Sequence, residues 1–343
     1  MSPAAFSAST PTPQRVSLRL EWLLSAVLLL SFLASLWIGA VTLTLGEFWQ
    51  GVVGLNDDVF SIVFWEIRVP RASLGVAVGF SLGLTGAVMQ GFMRNPLADP
   101  GVLGVTSGAA MGAVVAFYFG IANWFVLALP LGGIAGSFLI ISLVVVMAGR
   151  EASVQSLILA GIAFSSLAGA VISLVLNFSP NPHAALDIVY WLLGSLNDRS
   201  LQHVALALPL MLPGWLLLML CVRALRALSL GEDTAASMGF SVKRVRRFII
   251  LGSALAVGPA IAVTGAIGFV GLIVPHLLRP WVGGDPGRLL WVSGLGGAIL
   301  LTWSDLVVRL MPLDQELKLG VITSLIGAPF FLFLLYKLQR EET

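Results

Sequence analysis

The stretch Gly86–Gly112, GAVMQGFMRNPLADPGVLGVTSGAAMG, decides how this chain folds. It is apolar and rich in small residues, except for a polar segment, Arg94–Gly101, in its middle. Pro96 and Pro100 cannot both lie inside one regular helix, because each lacks an amide donor and clashes with the preceding turn. The stretch therefore predicts a helix, a sharp reversal and a second helix. We expect the polar segment at a membrane face, where water can reach its backbone groups.

The composition of the whole chain agrees with a membrane environment. Of its 343 residues, 58% are hydrophobic and 10% are charged, with a mean hydropathy of +0.97. A soluble domain has about 25% charged residues. Long apolar runs recur along the chain, each near the ~20 residues that cross a bilayer core. These features predict an all-α polytopic membrane protein.

Residues that could support catalysis or bind metal are few. Cys221 is the single cysteine, and His183, His203 and His276 are scattered without metal-ligand spacing. The sequence contains no glycine-rich phosphate-binding loop followed by lysine. We therefore expect no enzymatic activity, no metal site and no permanently bound cofactor.

Ten apolar segments fit membrane spans. They are predicted at residues 20–42, 70–93, 101–119, 124–148, 152–177, 201–222, 246–264, 267–283, 289–309 and 319–338. Pro259 and Pro275 interrupt the seventh and eighth segments, so one of these is expected to be short or bent. Gly75, Gly79 and Gly83 form a stripe of small residues, and such stripes let helix backbones approach closely in lipid.

The distribution of Lys and Arg predicts the orientation. With the N-terminus inside, fourteen of the 19 basic residues lie on the inner side, which favours cytoplasmic termini. Residues 1–19 are predicted to be a disordered tail, 20–338 the transmembrane domain and 339–343 a short C-terminal tail. The largest inner loop lies at about 223–247. On the outer side, an amphipathic piece at 187–196 is either a helix across the outer mouth or a simple loop.

Three arginines are predicted on the outer side, against this charge bias. Arg68 and Arg71 lie at the start of the second span, and Arg309 lies at the end of the ninth. They are either anchors that extend to the membrane surface or a cluster that binds an acidic partner or an anionic substrate. Asp305, an intramembrane carboxylate, is a functional candidate or the i,i+4 partner of Arg309.

Two inner segments are candidate functional surfaces. In the long inner loop, an acidic first turn and a closing glycine predict a short helix, which suits the groove of a soluble partner. The alternative is a basic loop that faces anionic lipid. In the reversal, Asn95 and Leu97 form either a plain turn or a constriction at the cytoplasmic end of a pathway.

Several motifs resemble one known family. They are Arg68–Arg71 (RVPR), Gly86–Gly91 (GAVMQG), Asn95–Gly101 (NPLADPG), Leu159–Gly161 (LAG), Trp191–Ser195 (WLLGS), Gly268–His276 (GFVGLIVPH) and Leu325–Phe331 (LIGAPFF). Together they resemble permease subunits of the FecCD type, from ATP-binding-cassette (ABC) importers of iron-siderophores, haem and cobalamin. The resemblance covers about residues 20–338.

The resemblance implies a fold and a set of partners. The fold is the type II ABC importer permease, with ten transmembrane helices and a homodimer around a central pathway in the bacterial inner membrane. The partners are two cytoplasmic ATPases, which use ATP and Mg, and one periplasmic binding protein. Arg68, Arg71 and Arg309 would meet acidic residues of the binding protein. The residues expected to contact the ATPase are Gly231, Glu232, Ala235, Ala236, Met238 and Gly239.

The resemblance also implies two cytoplasmic gates. Asn95 and Leu97 would form one gate, and Val154 and Gln155 the other. Some relatives have small hydroxyl residues at the second gate, from which this chain departs. The expected cargo is a large metal chelate, with haem or a ferric siderophore ahead of cobalamin. The alternative function is an ion-coupled secondary transporter in which Asp305 is the coupling site.

Overall fold

The structure is a computed structural model that describes residues 13–39, 41–54, 59–121, 125–149, 153–179, 182–311 and 316–341. Every regular element in these ranges is helical. The α-helices are α1 Pro13–Trp37, α2 Leu45–Val53, α3 Val59–Ile62, α4 Val69–Met93, α5 Val105–Tyr118, α6 Ala128–Ala148, α7 Val154–Asn177, α8 Pro182–Leu192, α9 Leu201–Leu220, α10 Val222–Leu228, α11 Glu232–Ser237, α12 Val242–Thr264, α13 Val270–Leu278, α14 Pro286–Leu310 and α15 Leu319–Glu341. A π-helical stretch, Val63–Arg68, joins α3 to α4, and 3₁₀ turns cover Pro100–Leu103 and Pro280–Val282.

The prediction of an all-helical membrane-type fold is confirmed. Within the described ranges, seven helices are long and apolar enough to cross a membrane, and two shorter apolar helices, Val105–Tyr118 and Leu319–Leu334, accompany them. Each of the ten predicted spans overlaps a helix. The eighth, however, holds one α-helix, α13, and a 3₁₀ turn. Helix α13 has nine residues and is therefore about 14 Å long, against a bilayer core of ~30 Å. The count of ten membrane-crossing helices stays a prediction.

The first two spans differ from their predicted bounds. Helix α1 begins at Pro13, so residues 13–19, predicted as part of a disordered tail, are helical, while residues 1–12 lie outside the described ranges. The second span begins at Val59 and runs 35 residues to Met93. Pro70 is accommodated because it lies in the first turn of α4, directly after the π-helical stretch. Arg68 and Arg71 therefore lie within a continuous helix.

Helix α4 is the centre of the fold, and glycines let its neighbours approach it closely. A Cβ atom placed on Gly79 would lie 2.4 Å from the carbonyl oxygen of Gly297. One placed on Gly83 would lie 2.0 Å from Ser293 O, and one on Gly86 would lie 1.9 Å from Gly271 O. Gly75 has only ordinary contacts. The predicted close packing along the stripe is thus confirmed at two of its three glycines, and α14 is the partner helix.

The reversal after α4 is confirmed, and most of its polar segment turns back into the protein. Arg94, with φ +48°, ends the helix, and Asn95 Oδ1 accepts a hydrogen bond from Leu97 N at 2.9 Å. The chain then turns back, so that Pro100 lies beside Gly271, which also contacts Gly86. Gly86 is seven residues before the end of α4, or about 10 Å. Only the first residues of the polar segment, Arg94 and Asn95, are exposed.

Candidate functional site

A cluster of charged side chains joins α4 and α14. Arg71 donates from Nε and Nη2 to Asp305 Oδ1, at 3.0 and 2.8 Å, and Arg309 Nη2 donates to Asp305 Oδ2. Arg71 also donates to Glu316 Oε1 and, at 3.1 Å, to Asn197 Oδ1. Arg71 and Asp305 are buried. The predicted pairing of Asp305 with Arg309 is confirmed, and Arg71 completes a shared ion pair.

Arg68 and Arg309 hold the end of α1. Arg68 donates to the carbonyl oxygens of Leu36, Trp37 and Val41, at 2.8, 2.7 and 2.6 Å. Arg309 donates to Ser35 O at 2.9 Å and to Ile38 O at 3.0 Å. The carbonyl groups at a helix C-terminus lack partners within the helix and carry partial negative charge. The two guanidiniums therefore cap α1 and stabilise its position against α4 and α14.

The three predicted arginines come together around one cavity. Arg68, Arg71 and Arg309 line a space of about 440 Å³, with Glu316 and Asn197 also in its wall. The three positive charges face two carboxylates, those of Asp305 and Glu316. The side chains of Arg71 and Arg309 are 10% and 4% exposed, so they are not anchors extended into solvent. Their contact with an acidic partner stays a prediction.

Sequence reasoning did not identify Glu316 or Asn197. Glu316 follows α14 after the undescribed residues 312–315, and Asn197 lies between α8 and α9. The usable signal was the three arginines on the outer side, against the charge bias, because buried guanidiniums require carboxylates nearby. Nothing in the spacing of the two residues singled them out.

The predicted short helix in the inner loop is present as α11. Gly231 precedes it with φ +129° and Gly239 follows it with φ +88°, conformations that favour glycine at both positions. Glu232, Ala236 and Met238 are exposed. Ala235 is fully buried, because its methyl group faces the chain itself. Ala235 was predicted to contact the partner, but its side chain packs inside the protein and stabilises the helix there.

The two predicted gates are positioned differently. Asn95 is exposed and Leu97 half-buried at the reversal. Val154 and Gln155 begin α7, where Ser153 Oγ caps the helix by accepting from Ser156 N at 3.1 Å. The Gln155 side chain is exposed. The gating role of all four residues stays a prediction.

An ion pair near the inner loop was also missed. Arg226 of α10 donates from Nε and Nη2 to the two carboxylate oxygens of Asp285, at 2.7 and 2.8 Å. Asp285 also caps α14 by accepting from Gly287 N at 2.9 Å. The hydrogen bonds from Arg226 hold the pKa of Asp285 below its usual value. The pair connects the segment that leads into α11 with the start of α14.

Comparisons with known proteins cover nearly the whole chain. A model of the FecCD transport family matches residues 27–337. The chain is 39% identical to YvrB, an uncharacterized ABC transporter permease protein of Bacillus subtilis, over 85% of both chains. It is 37% identical to the hemin transport system permease protein HmuU of Yersinia pestis, over 95% of this chain and 97% of that protein.

Two further comparisons agree with these. The chain is 37% identical to the vitamin B12 import system permease protein BtuC of Vibrio cholerae, over 92% of this chain and 95% of that protein. Its structure matches a solved transporter assigned to the metal-chelate ABC type, in an inward-facing conformation. That match has a TM-score of 0.80 and 33% identity, over 93% of this chain and 99% of the other. This chain belongs to the FecCD transport family.

Proposed function

We propose that this chain is the transmembrane permease subunit of a bacterial ABC importer for a large metal chelate. The family match across residues 27–337 carries the proposal. The relatives HmuU and BtuC are named as permeases for hemin and vitamin B12. Haem or a ferric siderophore is the proposed cargo, with cobalamin the next candidate.

The proposed assembly is a homodimer in the inner membrane with both termini in the cytoplasm. Two cytoplasmic ATPases supply the energy by hydrolysing ATP, and a periplasmic binding protein delivers the cargo. Helix α11 supports this arrangement, because it is a short helix between two glycines, with the exposed side chains of Glu232 and Met238 at its two ends. It is proposed to seat on the ATPase and to transmit the movement of the ATPase to α12, which begins after four intervening residues.

The arginine-lined cavity is proposed to face the binding protein. Its three guanidiniums exceed the carboxylates around them by one charge, so an added acidic side chain would be stabilised there. In the same proposal, Asn95 and Leu97 form one cytoplasmic gate and Val154 and Gln155 the other. Ion coupling through Asp305 is disfavoured, since two guanidiniums already pair with this carboxylate.

Reconstitution tests the proposal. The full chain, its ATPase and its binding protein are placed in liposomes, and uptake of haem, a ferric siderophore and cobalamin is measured with and without ATP. We expect uptake of one chelate only when ATP and both partners are present. Gradient-driven uptake by the chain alone would instead support a secondary transporter, and no ATP-dependent uptake of any chelate would refute the importer.

A further inference from the structure

An apolar groove with a basic rim lies on the surface of the helix bundle. It has a volume of about 480 Å³ and is formed by the end of α6, the start of α7 and the start of α12. Lys243, Arg246 and Arg247 supply its charged part. The groove lies at the same end of the bundle as α11, since α12 follows α11 directly.

The groove exists because the packing of α6 against α12 changes along their length. Near the other end, small residues bring the two backbones together. A Cβ atom on Gly133 would lie 2.8 Å from the Cβ of Ala262, and one on Gly258 would lie 2.5 Å from Ser137 Oγ. At residues 141–146 and 246–251, aliphatic and long basic side chains replace the small ones. These side chains hold the helix surfaces apart and leave a space between them.

The floor and walls of the groove suit a hydrocarbon chain. Ile141, Leu157 and Ile250 are at most 4% exposed and close the floor. Val145 and Val146 on one wall are exposed. The lining is otherwise poor in polar groups, and its Ser142 hydroxyl already donates to Phe138 O at 2.6 Å. An apolar ligand would therefore meet matching surface, and no buried hydroxyl would lose a partner.

The charges on the rim suit an anion. Lys243, Arg246 and Arg247 lie in the first turns of α12, where the helix dipole disfavours cations. Within the described ranges, neither Arg246 nor Arg247 forms an ion pair, and Arg246 Nε is buried without a hydrogen-bond partner. Among the described residues, helix stability and internal pairing thus leave the two guanidiniums unexplained, whereas a bound phosphate would satisfy them through paired N–H groups.

We propose that this groove binds one anionic phospholipid from the surrounding membrane. Arg246 and Arg247 bind the headgroup phosphate, Lys243 adds a third positive charge, and an acyl chain lies along Val145 and Val146. Basic pockets between transmembrane helices recognise anionic lipid headgroups in this way. The volume lies in the range of sites that enclose small ligands. None of the residues that line the groove belongs to the proposed gates or to the proposed ATPase contact.

Native mass spectrometry of the purified full-length chain tests the site. The chain is titrated with phosphatidylglycerol and, separately, with phosphatidylcholine, and the bound fraction is measured. The double variant Arg246→Gln/Arg247→Gln should bind phosphatidylglycerol roughly thirty-fold more weakly, because each basic residue contributes about a factor of five to ten. Binding of phosphatidylcholine should not change.

Arg244→Gln is the matched control. Arg244 lies in the same turns of α12 and is exposed, but it is not part of the groove lining. Its variant should retain phosphatidylglycerol as the parent chain does. Val145→Trp is an independent variant that fills the apolar wall and leaves every charge in place, and it should weaken phosphatidylglycerol binding as well.

Three outcomes would overturn the proposal. One is equal phosphatidylglycerol binding by the parent chain and both groove variants. Another is full displacement of the lipid by millimolar inorganic phosphate, which would define a simple anion site without a role for the apolar walls. The last is loss of ATPase binding in Arg246→Gln/Arg247→Gln with lipid retention unchanged, which would assign the rim to a protein interface.

Discussion

Arg71 and Asp305 are 234 residues apart in the sequence, yet Arg71 Nη2 lies 2.8 Å from Asp305 Oδ1 inside the protein. Arg309 shares the same carboxylate. The helices α4 and α14 are thereby joined by charge at one end and by glycine contacts further along. Asp305 is therefore the shared ion-pair partner of two buried arginines.

Asp305→Asn should destabilise the protein by about 3–5 kcal/mol, because it leaves two buried guanidiniums with insufficient counter-charge. Thermal unfolding of the purified protein in detergent measures the loss. Asp233→Asn on the exposed face of α11 is the control and should change stability by less than about 0.5 kcal/mol.

A double-variant comparison separates the pair from a general effect of the substitution. In an Arg71→Gln background, Asp305→Asn should lower the free energy of unfolding by distinctly less than it does in the parent chain, because one of the two cations that pair with Asp305 is already gone. Equal costs in both backgrounds would contradict a coupled ion pair.

Glu316→Gln should strengthen docking of the proposed binding protein. Glu316 pairs with Arg71 in the free chain, so it competes with any acidic side chain that enters the cavity. Removing its charge should raise affinity several-fold, with a larger gain at low salt. The affinities of the variant and of the parent chain for the immobilised binding protein are measured at two ionic strengths.

Reversal of the cavity charges is the complementary experiment. Arg71→Glu and Arg309→Glu should each weaken docking. Variants that fold normally and dock with unchanged affinity would assign these arginines to holding the protomer together and to no other role. Arg244→Glu, on the inner segment, controls for net charge.

The sequence predicted much of this fold from local features. Pro96 and Pro100 forced the reversal, and the glycine stripe predicted the close packing of α4, because both depend on short-range backbone geometry. The partners of the stripe were not predictable, since Gly79 meets Gly297 only through the tertiary arrangement. The pairing of Arg71 with Glu316 was missed for the same reason.

The prediction of exposed residues in α11 was limited in the same way, because it also depends on tertiary packing. Gly231 and Gly239 marked the ends of α11 correctly, because positive φ angles favour glycine. Ala235 was grouped with the exposed face of that helix, yet it is buried. A helix of six residues shows too little periodicity for its buried face to be read from sequence.

Met238→Lys combined with Glu232→Lys should abolish co-purification of the proposed ATPase. The two side chains are exposed on or beside α11, and the substitutions add positive charge without touching the buried Ala235. Stability of the chain itself should be nearly unchanged. Normal recovery of the ATPase with the double variant would remove α11 from the coupling surface.

The Asp285–Arg226 pair should make stability depend weakly on acid pH. Because the folded pKa of Asp285 is lowered, the unfolded chain binds more protons, and stability rises with pH in this range. The contribution is fully present above the unfolded value near 3.8 and is lost as pH falls through the folded pKa below it.

The size of this effect is small, since the Arg226 side chain is 49% exposed and the pair is screened by solvent. We expect the pair to contribute about 0.5 kcal/mol to the free energy of unfolding. The contribution is measured from the shift in unfolding midpoint between neutral and acid pH. Asp285→Asn should reduce the acid-induced shift by about this amount, yet keep the helix cap, while Asp305 and Glu316 retain their own contributions. A shift of the same size in that variant would place its origin at another group.

Gly83→Ala should destabilise the packing of α4 against α14 by about 3 kcal/mol or more, as overpacking does in a dense interior. The added Cβ would lie 2.0 Å from the carbonyl oxygen of Ser293. Since that atom belongs to the backbone, the compensating change Ser293→Gly should restore nothing. Gly169→Ala is the control within another long apolar helix, α7, because a Cβ there meets nothing within 4 Å. It should leave thermal stability in detergent unchanged or raise it by up to about 1 kcal/mol, and equal losses in the two variants would show that helix contact does not limit residue 83.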